Sequence, residues 1–302
     1  MLVPLLKKSL THASMLFFCP ALFLAGCLLA PTVRAQDKPY FVTYSQDLEE
    51  PGNLEIETKT ALGRPDGSTH YGATALEFEY GVLAWWTSEL YLDGQATAGD
   101  STIFTGFRIE NRVRPLMRDH FINPVLYVEY ESISGADKTI LEFVGHDSQA
   151  DLASPNGEAR RDHKHEAELK LILSSNVKDW NISENFIAEK NLGHAPWEFG
   201  YAIGAIRPLR GAAGGRACVF CAEKFIAGAE AYGGLGDTDS LTLADTSHYI
   251  APLIGWQLPK GLRLSFSPGF GLTPTSLNRV YRVGVAYEFN QIGNWFHHEG
   301  AE

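Results

Sequence analysis

Stretches in which apolar and polar residues alternate recur along almost the whole of this chain. In one of them, Leu76, Phe78 and Tyr80 alternate with Glu77 and Glu79. Successive side chains of a β-strand point to opposite faces, so such a stretch predicts a strand with one apolar and one polar face. The predicted strands cover about 53–62, 71–82, 87–97, 102–114, 121–132, 164–174, 177–189, 197–208, 222–234, 247–257, 260–271 and 279–290. Turn-forming residues separate them, which predicts an all-β chain of about twelve strands.

The polar face of these strands distinguishes two architectures. In a soluble β-sandwich the apolar face packs inward, whereas in a transmembrane barrel it meets lipid. Here the polar face is repeatedly charged or glycine, as where Arg108, Glu110 and Arg112 alternate with apolar residues. Aromatic residues also lie near strand ends, as the interfacial girdles of barrels do. The pattern therefore favours an antiparallel, up-and-down transmembrane β-barrel.

Residues 133–163 leave the number of strands open. With twelve strands they form one long outer loop, and both termini lie on the periplasmic side because the number is even. Residues 139–145 have the composition of a further strand, however, and an extra hairpin there would give fourteen strands. The long loop would then be shorter. The sequence also leaves open whether residues 133–163 fold into the lumen and plug it.

The first 35 residues have the order of a secretory signal peptide. Lys7 and Lys8 precede an apolar run, and small residues lie ahead of a cut before Gln36. The run around Cys27 also resembles a lipoprotein signal, in which this cysteine would be acylated. The predicted organisation is a signal peptide over 1–35, a periplasmic N-terminal lead-in over 36–52, a barrel over 53–290 and a C-terminal tail over 291–302.

The last predicted strand has a second pattern besides alternation. Arg282, Gly284, Tyr287 and Phe289 occur in the order polar, any, Gly, any, any, apolar, any, apolar. This order resembles the C-terminal signal by which the barrel-assembly machinery recognises bacterial outer-membrane proteins. The resemblance implies the cell outer membrane as location, with outer-membrane lipid and the assembly machinery as partners.

Several strand sequences resemble a known family. Residues 76–81 and 88–94, together with 128–131 and 168–173, are similar to a porin-like group of bacterial outer-membrane barrels linked to meta-pathway phenol degradation. The resemblance spans about residues 53–290 and includes no catalytic motif. It implies a passive channel or an accessory envelope protein.

The polar faces predict what the interior of such a barrel would do. Acids outnumber bases by 36 to 25 in the chain, which argues against nucleic acid as a partner and predicts a mild preference of any pore for cations. The residues expected to set selectivity are Glu77, Glu79, Arg108, Glu110, Arg112, Glu129 and Arg263. We expect passive movement of small polar or aromatic solutes. The alternative is a closed barrel with a structural or adhesion role through its outer loops.

Two smaller motifs have chemical interpretations. Cys218 and Cys221 form a single CxxC in a chain bound for an oxidising compartment, which favours a local disulfide over a free pair. His163, His165 and Glu166 could hold a divalent metal, although a solvated loop tip has the same composition.

An enzymatic role is the third alternative. Asp162 and His163 resemble the Asp–His pair of outer-membrane proteases, but no matching Asp pair is recognisable elsewhere in the sequence. A nucleophile with a positioned base is not recognisable from residue order either. We therefore expect neither catalysis nor a cofactor.

Overall fold

The computed structural model describes residues 39–210 and 219–292 and has twelve β-strands within them. Each strand begins and ends within three residues of its predicted bounds. The strands are β1 (Leu54–Gly63), β2 (Tyr71–Leu83), β3 (Trp86–Thr97), β4 (Thr102–Val113), β5 (Asn123–Ser134), β6 (His163–Val177), β7 (Trp180–Asn191), β8 (Trp197–Pro208), β9 (Phe225–Asp237), β10 (His248–Gln257), β11 (Leu262–Gly271) and β12 (Arg279–Phe289). The only α-helix in the described residues is α1 (Asn156–Ala159).

The strands form one closed, antiparallel barrel in which every strand pairs with its neighbours along the chain. The first and last strands close it, with Leu54 opposite Phe289 at one end of the seam and Gly63 opposite Val280 at the other. The predicted all-β, up-and-down barrel of twelve strands is therefore confirmed. We call the end at which β1 begins the terminal end, and the opposite end the loop end.

The wall has one apolar and one polar face. On β5, the outward residues Leu126 and Val128 are 51% and 52% exposed, whereas the inward Glu129 is 2% exposed. The same contrast recurs around the barrel, where exposed leucine, isoleucine and phenylalanine side chains cover the outside and buried charges line the inside. An apolar outer belt around a polar lumen is the arrangement of a barrel in an outer membrane.

Among the described residues, no helix is long and apolar enough to cross a membrane.

The lead-in was predicted as a periplasmic segment over 36–52. Most of its described part, residues 39–52, lies in the lumen of the barrel, against the inner face of the wall. Phe41 and Val42 are 5% and 2% exposed, and their backbone N–H groups donate to the carboxylate of Glu230 on β9. The segment has no alternating pattern, so its sequence did not indicate this placement. Inward-facing polar side chains satisfy its backbone groups, which is what allows an irregular segment to be buried.

The long connection between β5 and β6 also enters the lumen. Ile140, Phe143 and Val144 are at most 8% exposed, and Ile140 has a left-handed backbone conformation with φ of 46°. Residues 139–145 are not a strand, so the fourteen-strand alternative is wrong. Their apolar side chains are buried against the lumen contents instead of against a neighbouring strand. Phe41 and Val42 belong to the same buried apolar cluster as Ile140 and Phe143, so the two inserted segments share one core.

Candidate functional site: the charged lumen

Arg112 on β4 joins three carboxylates at the terminal half of the lumen. Its guanidinium lies 2.5 Å from Glu79 and 2.9 Å from Glu110, and it also contacts Glu89. All four residues are nearly fully buried. A buried guanidinium can offset the cost of burying carboxylates only when it contacts them directly, as it does here. The structure thus brings together three of the predicted selectivity residues, Glu79, Glu110 and Arg112.

A second group of charges lies on the strands that close the barrel. Arg263 on β11 reaches across β12 to β1, where it contacts Glu55 at 2.7 Å and Glu57 at 3.1 Å. Lys59 on β1 pairs with the predicted selectivity residue Glu77 on β2 at 2.9 Å. Because Glu77 of this group and Glu79 of the Arg112 group both lie on β2, the paired charges form a continuous lining rather than isolated bridges.

Arg108 connects the wall to the connection between β5 and β6, residues 135–162, which we call the inserted loop. It contacts Asp93 at 2.9 Å and Glu131 at 3.4 Å on neighbouring strands, and Asp137 of the loop at 3.2 Å. Lys170 on β6 makes a similar connection, to Glu168 at 2.8 Å and to Glu142 of the loop at 3.1 Å. The carboxylates of the loop therefore complete ion pairs that begin in the wall.

The lumen contains one feature that no single strand reveals. Ten acidic residues, one from each of ten neighbouring strands, lie directly opposite one another in the register of the sheet. We call them the acidic row. Its members are Glu288, Glu55, Glu79, Glu89, Glu110, Glu129, Glu168, Glu189, Glu198 and Asp237. Strands of a barrel tilt against its axis, so the row rises from the start of β1 at the terminal end to the last residue of β9 at the loop end.

The acidic row is costly to maintain. Like charges directly opposite each other destabilise a sheet, and buried charges need partners. Glu79, Glu89 and Glu110 share Arg112, and Glu168 has Lys170. In the middle of the row, neither carboxylate oxygen of the predicted selectivity residue Glu129 accepts a hydrogen bond from the described residues. Neutralisation by fixed bases is therefore incomplete in the middle of the row.

Tyr44 of the lead-in covers the middle of the acidic row. Its hydroxyl donates to Glu110 at 3.0 Å, and its ring lies between the Lys170 ammonium at 4.7 Å and the Arg112 guanidinium at 5.3 Å. Burial and the adjacent Glu110 carboxylate raise the pKa of Tyr44 well above its usual value. The aromatic ring thus contacts both cations and fills part of the lumen. Alternation could not indicate this residue, because it lies outside the strands.

Glu230 anchors the lead-in at a second point. Its carboxylate accepts hydrogen bonds from the backbone N–H of Phe41, Val42 and Thr43, the last two at 2.9 Å and 2.7 Å. Three amides directed at one carboxylate form an anion-binding arrangement of the backbone. Glu230 was not among the residues predicted from the sequence, because its role depends on the lead-in, which has no alternating pattern.

The predicted histidine cluster is divided by the wall. His163 and His165 are exposed on the outer face of β6, where His163 lies 3.1 Å from Ser132 Oγ and His165 2.8 Å from Tyr130 Oη. Glu166 follows on the inner face and is 5% exposed. Side chains on opposite faces of one strand cannot share an ion, so the structure does not bring this trio together.

The structure describes the predicted CxxC motif only in part. Cys221 is disulfide-bonded, whereas Cys218 lies outside the described residues, so their pairing stays a prediction. Predicted signal peptide residues 1–35 and tail residues 293–302 also lie outside the described part.

The C-terminal strand places the predicted assembly residues at the seam. Arg282 donates to the carbonyl of Ile140 at 3.0 Å, and Tyr287 and Phe289 stack edge to face with ring centroids 4.6 Å apart. A Cβ on Gly284 would lie 2.2 Å from Ser265 Oγ, so a larger residue there would require the Ser265 side chain to move. Their role in recognition by the assembly machinery stays a prediction.

No protein-family model and no curated protein matches the chain. Among solved structures, it resembles the COG4313 outer membrane channel from Pseudomonas putida F1, at 9% identity over 84% of this chain and 100% of that one, with a TM-score of 0.53. It also resembles the NanC porin, at 10% identity over 78% and 98% of the two chains, although the TM-score of 0.45 is too low to support a conclusion. At such identities the first likeness establishes the fold alone. Together with the apolar outer belt, it shows that the chain has the fold of an outer-membrane β-barrel.

Proposed function

We propose that this protein is a passive channel for small polar solutes, with a lumen that the lead-in and the inserted loop obstruct in the present conformation. The observation that carries the proposal is the acidic row, which extends from one end of the barrel to the other. A lumen with fixed charges along its length supports solute binding at several positions, which conduction requires.

A purely structural interior would not need these charges. Replacing buried ion pairs by apolar residues of similar volume is often neutral or stabilising. Retaining Arg108, Arg112 and Arg263 in a network with more than twice as many carboxylates therefore favours a role in selecting solutes. Within this proposal, Glu77, Glu79, Glu110 and Glu129 attract cations, and the three arginines restrict the path.

The way in which the lead-in is held is compatible with opening. Near Tyr44 the lead-in contacts Glu110, Lys170 and Arg112 through a hydrogen bond and two cation–π contacts, and the Tyr44 ring also packs edge to face against Tyr127. The polar contacts can be exchanged for water at modest cost. Movement of residues 39–50 would join the small cavity beside Arg112 and Glu79, of about 30 Å³, to the rest of the lumen.

One observation favours the second candidate, a closed barrel with a structural or adhesion role. Phe41, Phe143 and Tyr249 belong to one buried apolar cluster, which ties both inserted segments to the wall. A hydrolase has less support, because His163 contacts Ser132 and His165 contacts Tyr130 on the outer face. We therefore propose a non-enzymatic function.

The decisive experiment is single-channel recording of the refolded mature protein, from Gln36 onward, in a planar bilayer under a salt gradient. We expect infrequent openings with a reversal potential that indicates cation preference. In a variant with Tyr44→Ala, openings should be more frequent and larger, because the ring no longer covers the acidic row. Silence from both proteins, when circular dichroism shows that both are folded, would overturn the channel and favour the closed barrel.

A further inference from the structure

A cavity of about 130 Å³ lies in the lumen between the wall and the inserted loop. Strands β4 to β7 form one side of it, with Glu131, Lys164, Glu166 and Glu189, and residues 135–152 form the other. Seven of the lining residues are acids and three are bases. The cavity is therefore an anionic chamber, and its volume is sufficient for a few water molecules.

Most acids of this chamber have protein partners. Glu142 pairs with Lys170 at 3.1 Å, Asp137 with Arg108 at 3.2 Å, and Glu166 accepts a hydrogen bond from Asn191 at 3.1 Å. These carboxylates stabilise the attachment of the loop to the wall. Of the other two bases that line the chamber, Lys164 lies 3.8 Å from Glu166, and Lys138 donates to the side chain of Asn156 at 3.3 Å.

Glu189 of the wall has no such partner. Its side chain lines the chamber and is only 9% exposed, yet no base or hydrogen-bond donor in the described residues contacts its carboxylate. Its neighbours across the sheet, Glu168 and Glu198, are acids of the same row. A buried carboxylate beside two others stays ionised only when a cation lies next to it, and is otherwise protonated.

We infer that this chamber is a binding site for a small hydrated monovalent cation, with Glu189 as its principal anionic group. Among the described residues, no three His, Cys, Asp or Glu side chains are spaced to hold a metal ion directly, so the cation keeps water between itself and part of the wall. A site of this kind rests on the proposed function and refines it, because it names small cations as the solutes that the lumen holds.

The site can be tested without conduction. Equilibrium dialysis of the folded mature chain in detergent against radioactive Rb⁺, in a buffer whose other cation is bulky Tris, measures bound Rb⁺ per barrel. We expect one Rb⁺ to bind, and Glu189→Gln to weaken that binding about tenfold or more because it removes the nearest negative charge. Glu189→Asp, which keeps the charge, should retain most of it.

Glu184→Gln is the matched control. Glu184 is on the same strand but exposed on the outer face, so its neutralisation should leave Rb⁺ binding unchanged. Equal binding by the unmodified protein and by Glu189→Gln, or no binding by either folded protein, would overturn the cation site. A barrel that conducts without binding Rb⁺ refutes the site alone, whereas a barrel that binds Rb⁺ but stays silent refutes the channel alone.

Discussion

The backbone N–H of Thr43 donates to the Glu230 carboxylate at 2.7 Å, which fixes the inserted lead-in to the wall of the barrel. Phe41 and Val42 donate to the same group. In Glu230→Gln one acceptor oxygen becomes an NH₂ donor that faces these amides. We expect the attachment to lose about 2 kcal/mol, as for hydrogen bonds to a charged acceptor.

Hydrogen exchange of residues 41–43 measures this loss directly, and channel recordings should show more frequent openings. Glu184→Gln on the outer face is the control for a neutralised glutamate. Undiminished protection of the three amides in Glu230→Gln would contradict the anchoring role.

The hydroxyl and the ring of Tyr44 have separable roles. Tyr44→Phe removes the hydrogen bond to Glu110 but keeps the ring between Lys170 and Arg112, so we expect a loss of about 1 kcal/mol in unfolding free energy and little change in conductance. Tyr44→Ala should in addition increase conductance. If both variants conducted alike, the ring would not be the obstruction.

Lipid contact of the outer belt can be tested on β6. Leu171 is 42% exposed near the middle of this strand, and arginine at the midplane of a membrane costs about 2–4 kcal/mol. We therefore expect Leu171→Arg to lower the free energy of unfolding from lipid vesicles by about that amount. Leu272→Arg in the connection after β11, where Leu272 is 62% exposed, should change it little. An equal effect of the two substitutions would argue against the placement of the belt.

Acid should release the inserted loop from the wall. Burial alone would raise the pKa of Glu142, but the Lys170 ammonium and the Arg108 guanidinium hold it below its usual value of 4.5. The stabilisation by ionised Glu142 is thus present above pH 4.5 and is lost as the pH falls through the lower value of the folded protein. Limited proteolysis between residues 135 and 162 should accelerate in that window, and Glu142→Gln should be cut rapidly at all pH values. A pH-independent rate in the unmodified protein would refute the pairing.

The raised pKa of Asp147 predicts the opposite pH dependence of loop stability, at pH values near neutral. Burial raises its pKa from 3.8 to about 7, with Lys164 opposing and Glu198 adding to the shift. Because the pKa of Asp147 is raised in the folded protein, its contribution to the free energy of unfolding is fully present below pH 3.8 and is lost as the pH rises through about 7. Asp147→Asn should therefore stabilise the loop at pH 8 relative to the unmodified protein and have little effect at low pH. Thermal unfolding at the two pH values measures the difference, and stabilisation of equal size at both would contradict the shift.

The wall was predictable because alternation reports both strand position and side-chain face. Glu79, Glu110 and Arg112 were assigned to the lumen for this reason, and the structure joins them. Register was harder, since it depends on which backbone groups pair. A two-residue hairpin turn at Lys178 and Asp179 determines the register of β6 and β7. Once that turn is located, the pairing of Glu168 with Glu189 can be predicted from it.

The contents of the lumen were not predictable in the same way. Tyr44 and Glu142 lie in segments without periodicity, and their positions depend on charges contributed by several distant strands. The short apolar run around Phe143 suggested a strand because such runs occur both in strands and in other buried segments. Here the inner cavity of a barrel, rather than a neighbouring strand, supplies the burial.

The pairing of β1 with β12 determines the order in which the molecule can be built. The seam joins Leu54 to Phe289, so it cannot form before nearly the whole chain has been synthesised. The lead-in ends at Gly52 and is continuous with β1. When β12 pairs with β1 and closes the barrel, the lead-in is either already inside the lumen or has to enter it afterwards. Because its amides meet Glu230 on β9, far from the seam, early docking onto a still-open sheet would let the last strand close around a filled interior, and no later entry of a free chain end would be needed.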